Sequence, residues 1–293
     1  MKDKAIVIIQ VPYDSAHRSL RMGAGPEHFI NNGVEAYLHD KGYDVRLELI
    51  EADTSFRSEI KTAFELNRLL AGRVRSSITN GRFPFILSGN CNSSLGTVAG
   101  INQPDTGIIW FDGHGDFNTP DTSISGFLDG MGLATAVGLC WRKLAASIPG
   151  FTPVAGKNVI HAGVRDYSED ERRLFAESGV TVIKAEAINR LGVVKALEPA
   201  VTKLSTQVSR IYLHFDLDVL DPVQYPANEF APPDGLTVEQ VVQSIKMIGK
   251  HIRIEASAIA SFDPVCDKAG QTLHAGKQII EAVVGMVIGE AKV

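Results

Sequence analysis

The chain has 293 residues, 44% hydrophobic and 22% charged, with a net charge of −5 and three scattered cysteines. This is ordinary water-soluble globular composition, without the basic runs that nucleic acid or an anionic membrane surface would call for. Cys91, Cys140 and Cys266 are odd in number and far apart, which argues against a disulfide framework.

The amino terminus carries no secretory pattern, and its apolar run is far shorter than the ~18 residues of a membrane span. The cytoplasm is the expected location. "KAIVIIQ", Lys4 to Gln10, reads as a first strand. "PEHFINNGVEAYLHDKG" reads as one helix, with Pro26 at its start and Gly42 past its end. "YDVRLELI" is a second strand. From about Ser58 to Thr79, the residues Ile60, Ala63, Phe64, Leu70 and Val74 recur at helical spacing, with Asn67 as the one polar break. "FPFILSGN", "TGIIWFDGH", "KNVIHAGVRD", "VTVIKAEA", "RIYLHFDLD" and "IRIEASAIASFDP" follow as brief apolar runs, most ending in Gly, Asp or Asn. Helical patterns such as "SEDERRLFAESG" and "TVEQVVQSIKMIGK" separate most of them. The alternation predicts an α/β fold with a largely parallel sheet covered by helices. No repeat or linker interrupts it, so residues 1–293 read as one domain. In such sheets, polar groups at the carboxyl ends of strands converge on the ligand crevice.

Two motifs stand at such ends. In "DGHGD", alternate side chains of an extended segment share a face, so Asp112, His114 and Asp116 are expected to point one way. Two carboxylates and an imidazole suit Mn, Zn, Fe or Ni. A polar loop with a capping Asp is the plainer alternative. In "LHFDLDVLDP", Asp216 and Asp218 have the same spacing, and Asp221-Pro222 reads as a turn. Carboxylates this close and partly buried repel unless a cation lies between them. Five such ligands suffice to bridge two divalent ions roughly 3.5–4 Å apart.

Together the motifs resemble the ureohydrolase (arginase/agmatinase) family. Its "Asp-Ala-His-x-Asp-x-Asn" and "Ser-x-Asp-x-Asp-x-x-Asp-Pro" patterns stand here as "DGHGDFN" and "HFDLDVLDP". "SGNCNSSLGT" matches its "Gly-Gly-Asp-His-Ser" region, and "RMGAGP", "GVRD" and "APPDGLT" fall in the family's order. The resemblance implies a three-layer α/β/α sandwich and a trimer or hexamer. It also implies two divalent ions, manganese first, with zinc, iron, cobalt or nickel possible because of Cys91. One ion would contact Cys91, Asp112, Asp116 and Asp216; the other would contact Asp112, His114, Asp216 and Asp218. A hydroxide between the metals would attack a guanidinium carbon, with Asp116 orienting it.

Four departures from the family pattern matter more than the match. Cys91 replaces a metal-binding His, either as a sulfur ligand or as a thiol that only packs. A Cys here resembles the Nω-hydroxyarginine amidinohydrolase branch, which releases hydroxyurea and ornithine. Asp129 replaces a proton-shuttling His, as an acid or base or as a "DG" turn; an exposed Asp shuttles poorly at neutral pH. Ser261 replaces a Glu that grips the guanidinium, which leaves Glu229 and Asp263 as substitute carboxylates or as turn residues. Ser168 replaces an Asp that contacts the substrate's α-amine, with Asp166, Glu169 and Asp170 as substitutes, although "SEDE" is also a common helix start. Asn118 and Ser125 match the residues that hold an α-carboxylate. His274 lies on a helix that could approach the pocket, His17 lies in the amino-terminal loop, and His214 fits a satisfied core imidazole. The expected function is metal-dependent hydrolysis of a C–N bond in a linear amidine, with an Nω-hydroxyarginine-like substrate. A metal-binding regulatory subunit that has lost hydrolysis is the alternative.

Overall fold

The computed structural model describes residues 5–53 and 58–289. Lys4, the first residue of the expected first strand, lies outside them. The strands are β1 (Ile6–Val11), β2 (Tyr13–Asp14), β3 (His17–Arg18), β4 (Val45–Leu49) and β5 (Phe83–Ser88). They continue as β6 (Thr106–Phe111), β7 (Val159–Ala162), β8 (Thr181–Ile183), β9 (Arg210–Asp216) and β10 (Arg253–Ala260). β2 and β3 form a small antiparallel hairpin. The other eight make one sheet in the order β4-β1-β5-β10-β9-β6-β7-β8. Every pairing in it is parallel.

The apolar runs explain this sheet. β1, β5 and β6 are buried along their whole length, as strands covered on both faces must be. Successive side chains divide between two cores. Ile6, Ile8, Phe85 and Phe111 pack with the helices Gly25–Asn31, Val193–Ser205, Val238–His251 and Gln271–Gly289. Val7, Ile9, Ile86 and Trp110 pack with Glu59–Thr79, Ser94–Ile101 and Gly132–Ala136. The result is the helix-covered parallel sheet expected from the alternation, in the α/β/α sandwich that the resemblance implies. Among the described residues, no helix is long and apolar enough to cross a membrane.

Two helical expectations need correction. The segment after Pro26 is two helices, Gly25–Asn31 and Val34–His39, because Gly33 adopts φ 77 and breaks the run. In Glu59–Thr79, Ile60 is 38% exposed, while Asn67 is buried. Asn67 is no flaw in the stripe: its Oδ1 accepts the Gly96 N–H. A Cβ on Gly96 would lie 2.7 Å from the Asn67 carbonyl oxygen, so only glycine lets helix Ser94–Ile101 dock this closely. That docking fixes the turn at Cys91–Ser93, directly beyond β5.

Candidate metal centre

The loops after β5, β6 and β9 meet above neighbouring carboxyl ends of the sheet. Asp112 follows β6, and its backbone N–H donates to the Ala162 carbonyl at 3.1 Å. Its carboxylate accepts from Trp110 Nε1 at 2.9 Å and from the His114 N–H at 2.7 Å. The chain remains extended through His114, which bridges to Asp166. It then turns at Asp116, with φ 50. The one-face expectation therefore holds for Asp112 and His114 and fails at Asp116, which swings towards Cys91. A left-handed non-glycine residue costs of order 1–3 kcal/mol. It is retained because the Asp116 carbonyl accepts both the Leu133 and Ala134 N–H groups, each at 3.1 Å, at the start of helix Gly132–Ala136.

Asp216 ends β9 and accepts the Asp218 N–H at 2.8 Å, which turns Asp218 back over the sheet. Asp218 accepts from the Gly113 N–H at 3.1 Å and Asn228 Nδ2 at 3.3 Å, and lies 3.2 Å from His114 Nδ1. Arg165, in "GVRD", pins this loop by donating to the carbonyls of Asp218, Pro232 and Pro233 at 2.7–2.8 Å. Cys91 Sγ sits 3.0 Å from Asp216 Oδ2.

Ligand atoms of Cys91, Asp112 and Asp116 all lie within 4.8 Å of one another, as do those of Asp112, His114 and Asp218. Asp112 belongs to both groups. Asp216 stands outside them but touches Cys91. The donor set fits divalent ions. Asp116 is 8% exposed, yet among the described residues no hydrogen bond or ion pair engages its carboxylate.

The electrostatics agree. Burial, then the charge of Asp218, pushes Asp112 and Asp216 well above the usual carboxylate range; burial, then Asp112, does so for Asp116. Burial opposes a charge on His114, but Asp218 outweighs it and lifts the imidazole to about 10. Burial also opposes the charge of Asp218, which His114 nevertheless holds below its ordinary value. Burial and then Asp216 push the Cys91 thiol up.

A pH dependence follows for the chelator-treated chain. Carboxylates with raised folded values stabilise fully below about pH 4, and that contribution is lost as pH rises through those values. His114 acts in the same direction, fully stabilising below about 6.5 and losing this as pH passes about 10. The stabilisation from Asp218 is lost only in acid, below about pH 4. The metal-free melting temperature is therefore expected to fall between about pH 5.5 and 8.5, while metal binding strengthens as ligands deprotonate. Thermal scans with chelator and with excess divalent ion check this. A metal-free melting temperature that climbs with pH would contradict it.

The remaining expected residues divide. Asp129 is buried rather than exposed: its carboxylate accepts the Asn92 N–H at 2.8 Å and Asn90 Nδ2 at 2.9 Å, holding the Cys91 turn. Burial pushes its pKa up to about 7. Asn118 Oδ1 accepts from the Thr122 hydroxyl, and Ser125 is exposed on the same loop. Glu229 and His17 are exposed, and Asp263 caps a turn by accepting the Val265 N–H. His274 is exposed in the first turn of its helix, and among the described residues no hydrogen bond or ion pair joins it to the cluster.

Ser168 is engaged in a capping box with Glu171. Glu171 also accepts the Phe117 N–H at 3.1 Å, tying the loop after Asp116 to helix Glu169–Ser178. Ser168→Ala is expected to cost about 1 kcal/mol of stability, the usual worth of such a cap, with KM unchanged. Denaturant melts and steady-state kinetics check this; a tenfold rise in KM would give Ser168 a substrate contact instead.

The sequence model of the Arginase family matches residues 4–285. The chain belongs to the arginase family. It is 29% identical to the arginase of Bacillus caldovelox over 300 residues, covering 98% of this chain and 99% of that one. The solved structure of that arginase aligns with a TM-score of 0.89 at 28% identity, covering 96% of this chain and 98% of that chain. An arginase structure from Bacillus subtilis gives 0.88 at 28% identity, with 96% and 99% covered. The agmatine ureohydrolase of Thermoplasma volcanium shares the fold, with a TM-score of 0.75 at 16% identity and 99% and 93% covered. Family members are hydrolases of C–N bonds in linear amidines.

Proposed function

We propose that the chain is a metal-dependent hydrolase of a linear guanidine, with an Nω-hydroxyarginine-like amino acid as its preferred substrate. The observation that carries this is the pair of ligand groups meeting at Asp112. Cys91, Asp112, Asp116 and Asp216 would hold one divalent ion, and Asp112, His114, Asp216 and Asp218 the other. When bound, such ions supply a nucleophilic water near neutral pH and polarise the scissile group.

The chain's own residues would do the rest. Asn118 keeps its Nδ2 donors unengaged by any described residue, and Ser125 keeps a hydroxyl proton to donate, so both suit an α-carboxylate. Ser261 is buried and turned towards Cys91, 3.5 Å from its sulfur, so it offers no charge to a guanidinium. That favours a less basic N-hydroxyguanidine. Exposed Glu229 is the carboxylate we assign to the substrate's cationic end. Buried Asp129 holds a proton close to neutral pH and is the assigned acid.

The test is product analysis with Nω-hydroxyarginine, arginine and agmatine in turn, after loading with manganese, cobalt or zinc. Hydroxyurea with ornithine, formed faster than urea from arginine, is the expected result. Urea from arginine at the greater rate would overturn the substrate. No product from any guanidine would favour the metal-binding reading, with Ser168 and Asp129 retained for folding.

A further inference from the structure

Cys91 lies among side chains that metal ligation alone does not explain. Its Sγ is 3.0 Å from Asp216 Oδ2, 3.1 Å from His214 Nε2 and 3.5 Å from Ser261 Oγ. His214 is wholly buried on β9. Its ring stacks on Trp110 at 3.7 Å, and Trp110 in turn donates to Asp112. Its Nδ1 lies 2.7 Å from the Tyr212 hydroxyl. Tyr212 is also wholly buried.

One end of this line sets the direction of every bond. The Cys91 thiol donates to Asp216 Oδ2, and a thiol has one proton to give. The sulfur is then left to accept, which makes His214 Nε2 the donor. With its proton on Nε2, His214 accepts at Nδ1, and Tyr212 donates. If the thiol proton leaves, the Nε2–H and the Ser261 hydroxyl still face the sulfur as donors.

We propose that His214 is a positioning residue for the metal centre: it donates Nε2–H to the Cys91 sulfur, and Tyr212 holds it in that tautomer. Such a hydrogen bond orients a sulfur ligand and tempers its charge, adapting it to a borderline divalent cation. Cys91, His214 and Ser261 then act as one unit rather than as three separate losses. The inference rests on reading Cys91 as a ligand.

Cobalt(II) binding tests it, with affinity and the near-ultraviolet sulfur-to-cobalt charge-transfer band as readouts. His214→Asn places its amide nitrogen short of the sulfur, whereas His214→Gln places it close to where Nε2 stands. The Asn variant is expected to shift the band and weaken cobalt binding about 10–100-fold, the usual effect of removing an outer-shell partner. The Gln variant is expected to remain close to wild type. Tyr212→Phe, nearly isosteric and one residue removed from the sulfur, should move both readouts in the same direction by less. Wild-type affinity and band in the Asn and Phe variants would overturn the role of His214 while leaving Cys91 a ligand. Cobalt binding without a charge-transfer band in the wild type would overturn the ligation on which the inference rests.

Discussion

Asp116→Asn is expected to lower kcat/KM at least about a thousandfold while raising the melting temperature of the metal-free chain. Asp116 belongs to one of the two ligand groups, and its carboxylate has no hydrogen bond among the described residues. Its carboxylate serves a cation or serves nothing. A thousandfold loss is about 4 kcal/mol of transition-state stabilisation, well within what a lost metal ligand removes. The stability gain has a separate origin. Burial and the charge of Asp112 make the ionised side chain costly, and Asn removes that charge. Asn also tolerates the left-handed backbone at this position better than most residues. A gain of about 0.5–2 kcal/mol is the usual size of a single stabilising change. Steady-state kinetics and thermal scans with chelator check both halves. A variant that is inactive and also less stable without metal would make Asp116 a structural residue.

Cys91→His, which restores the family's residue, is expected to be a loss when made alone. The sulfur is enclosed by Asp216, His214 and Ser261 at 3.0–3.5 Å, and a second imidazole would collide with His214. Overpacking of this kind costs about 1–3 kcal/mol. Adding His214→Ser vacates the space and returns both positions to the family pattern, so the double variant is expected to recover most of the lost stability and to bind metal. The coupling between the two changes, about 0.5–3 kcal/mol for residues in contact, is measured by melts of all four proteins. Cys91→His alone with wild-type stability and metal content would show that His214 does not confine position 91.

The sheet was legible because its strands are short apolar runs in strict alternation with helices, and every expected strand is present. The break at Gly33 was missed because Ile30, Val34 and Leu38 recur every four residues across it, as in a continuous helix. The cluster of candidate ligand side chains was legible from carboxylate spacing, which no ordinary surface loop needs. The geometry of Asp116 was not, because a left-handed turn set by the start of helix Gly132–Ala136 leaves no local mark beyond the preceding glycine. The burial of Asp129 was not legible, since "DG" usually marks a surface turn and its partners Asn90 and Asn92 are distant in sequence. Arg165 and Asn228 were missed as supports of Asp218 because their partners are mostly backbone carbonyls from other loops. Glu171 could have been found, because Ser168-x-x-Glu171 is a capping-box pattern. The link between His214 and Cys91 joins β9 to the turn after β5, 123 positions apart and with β10 between those strands, which spacing along the chain cannot reveal.

The central claim is that Asp112 joins two ligand groups that each hold a divalent ion. Elemental analysis of the purified chain after loading and desalting, with Asp112→Asn beside it, tests this most directly. The account predicts two ions per wild-type chain and fewer than one in the variant. One ion or none in the wild type, or two retained in the variant, would contradict it.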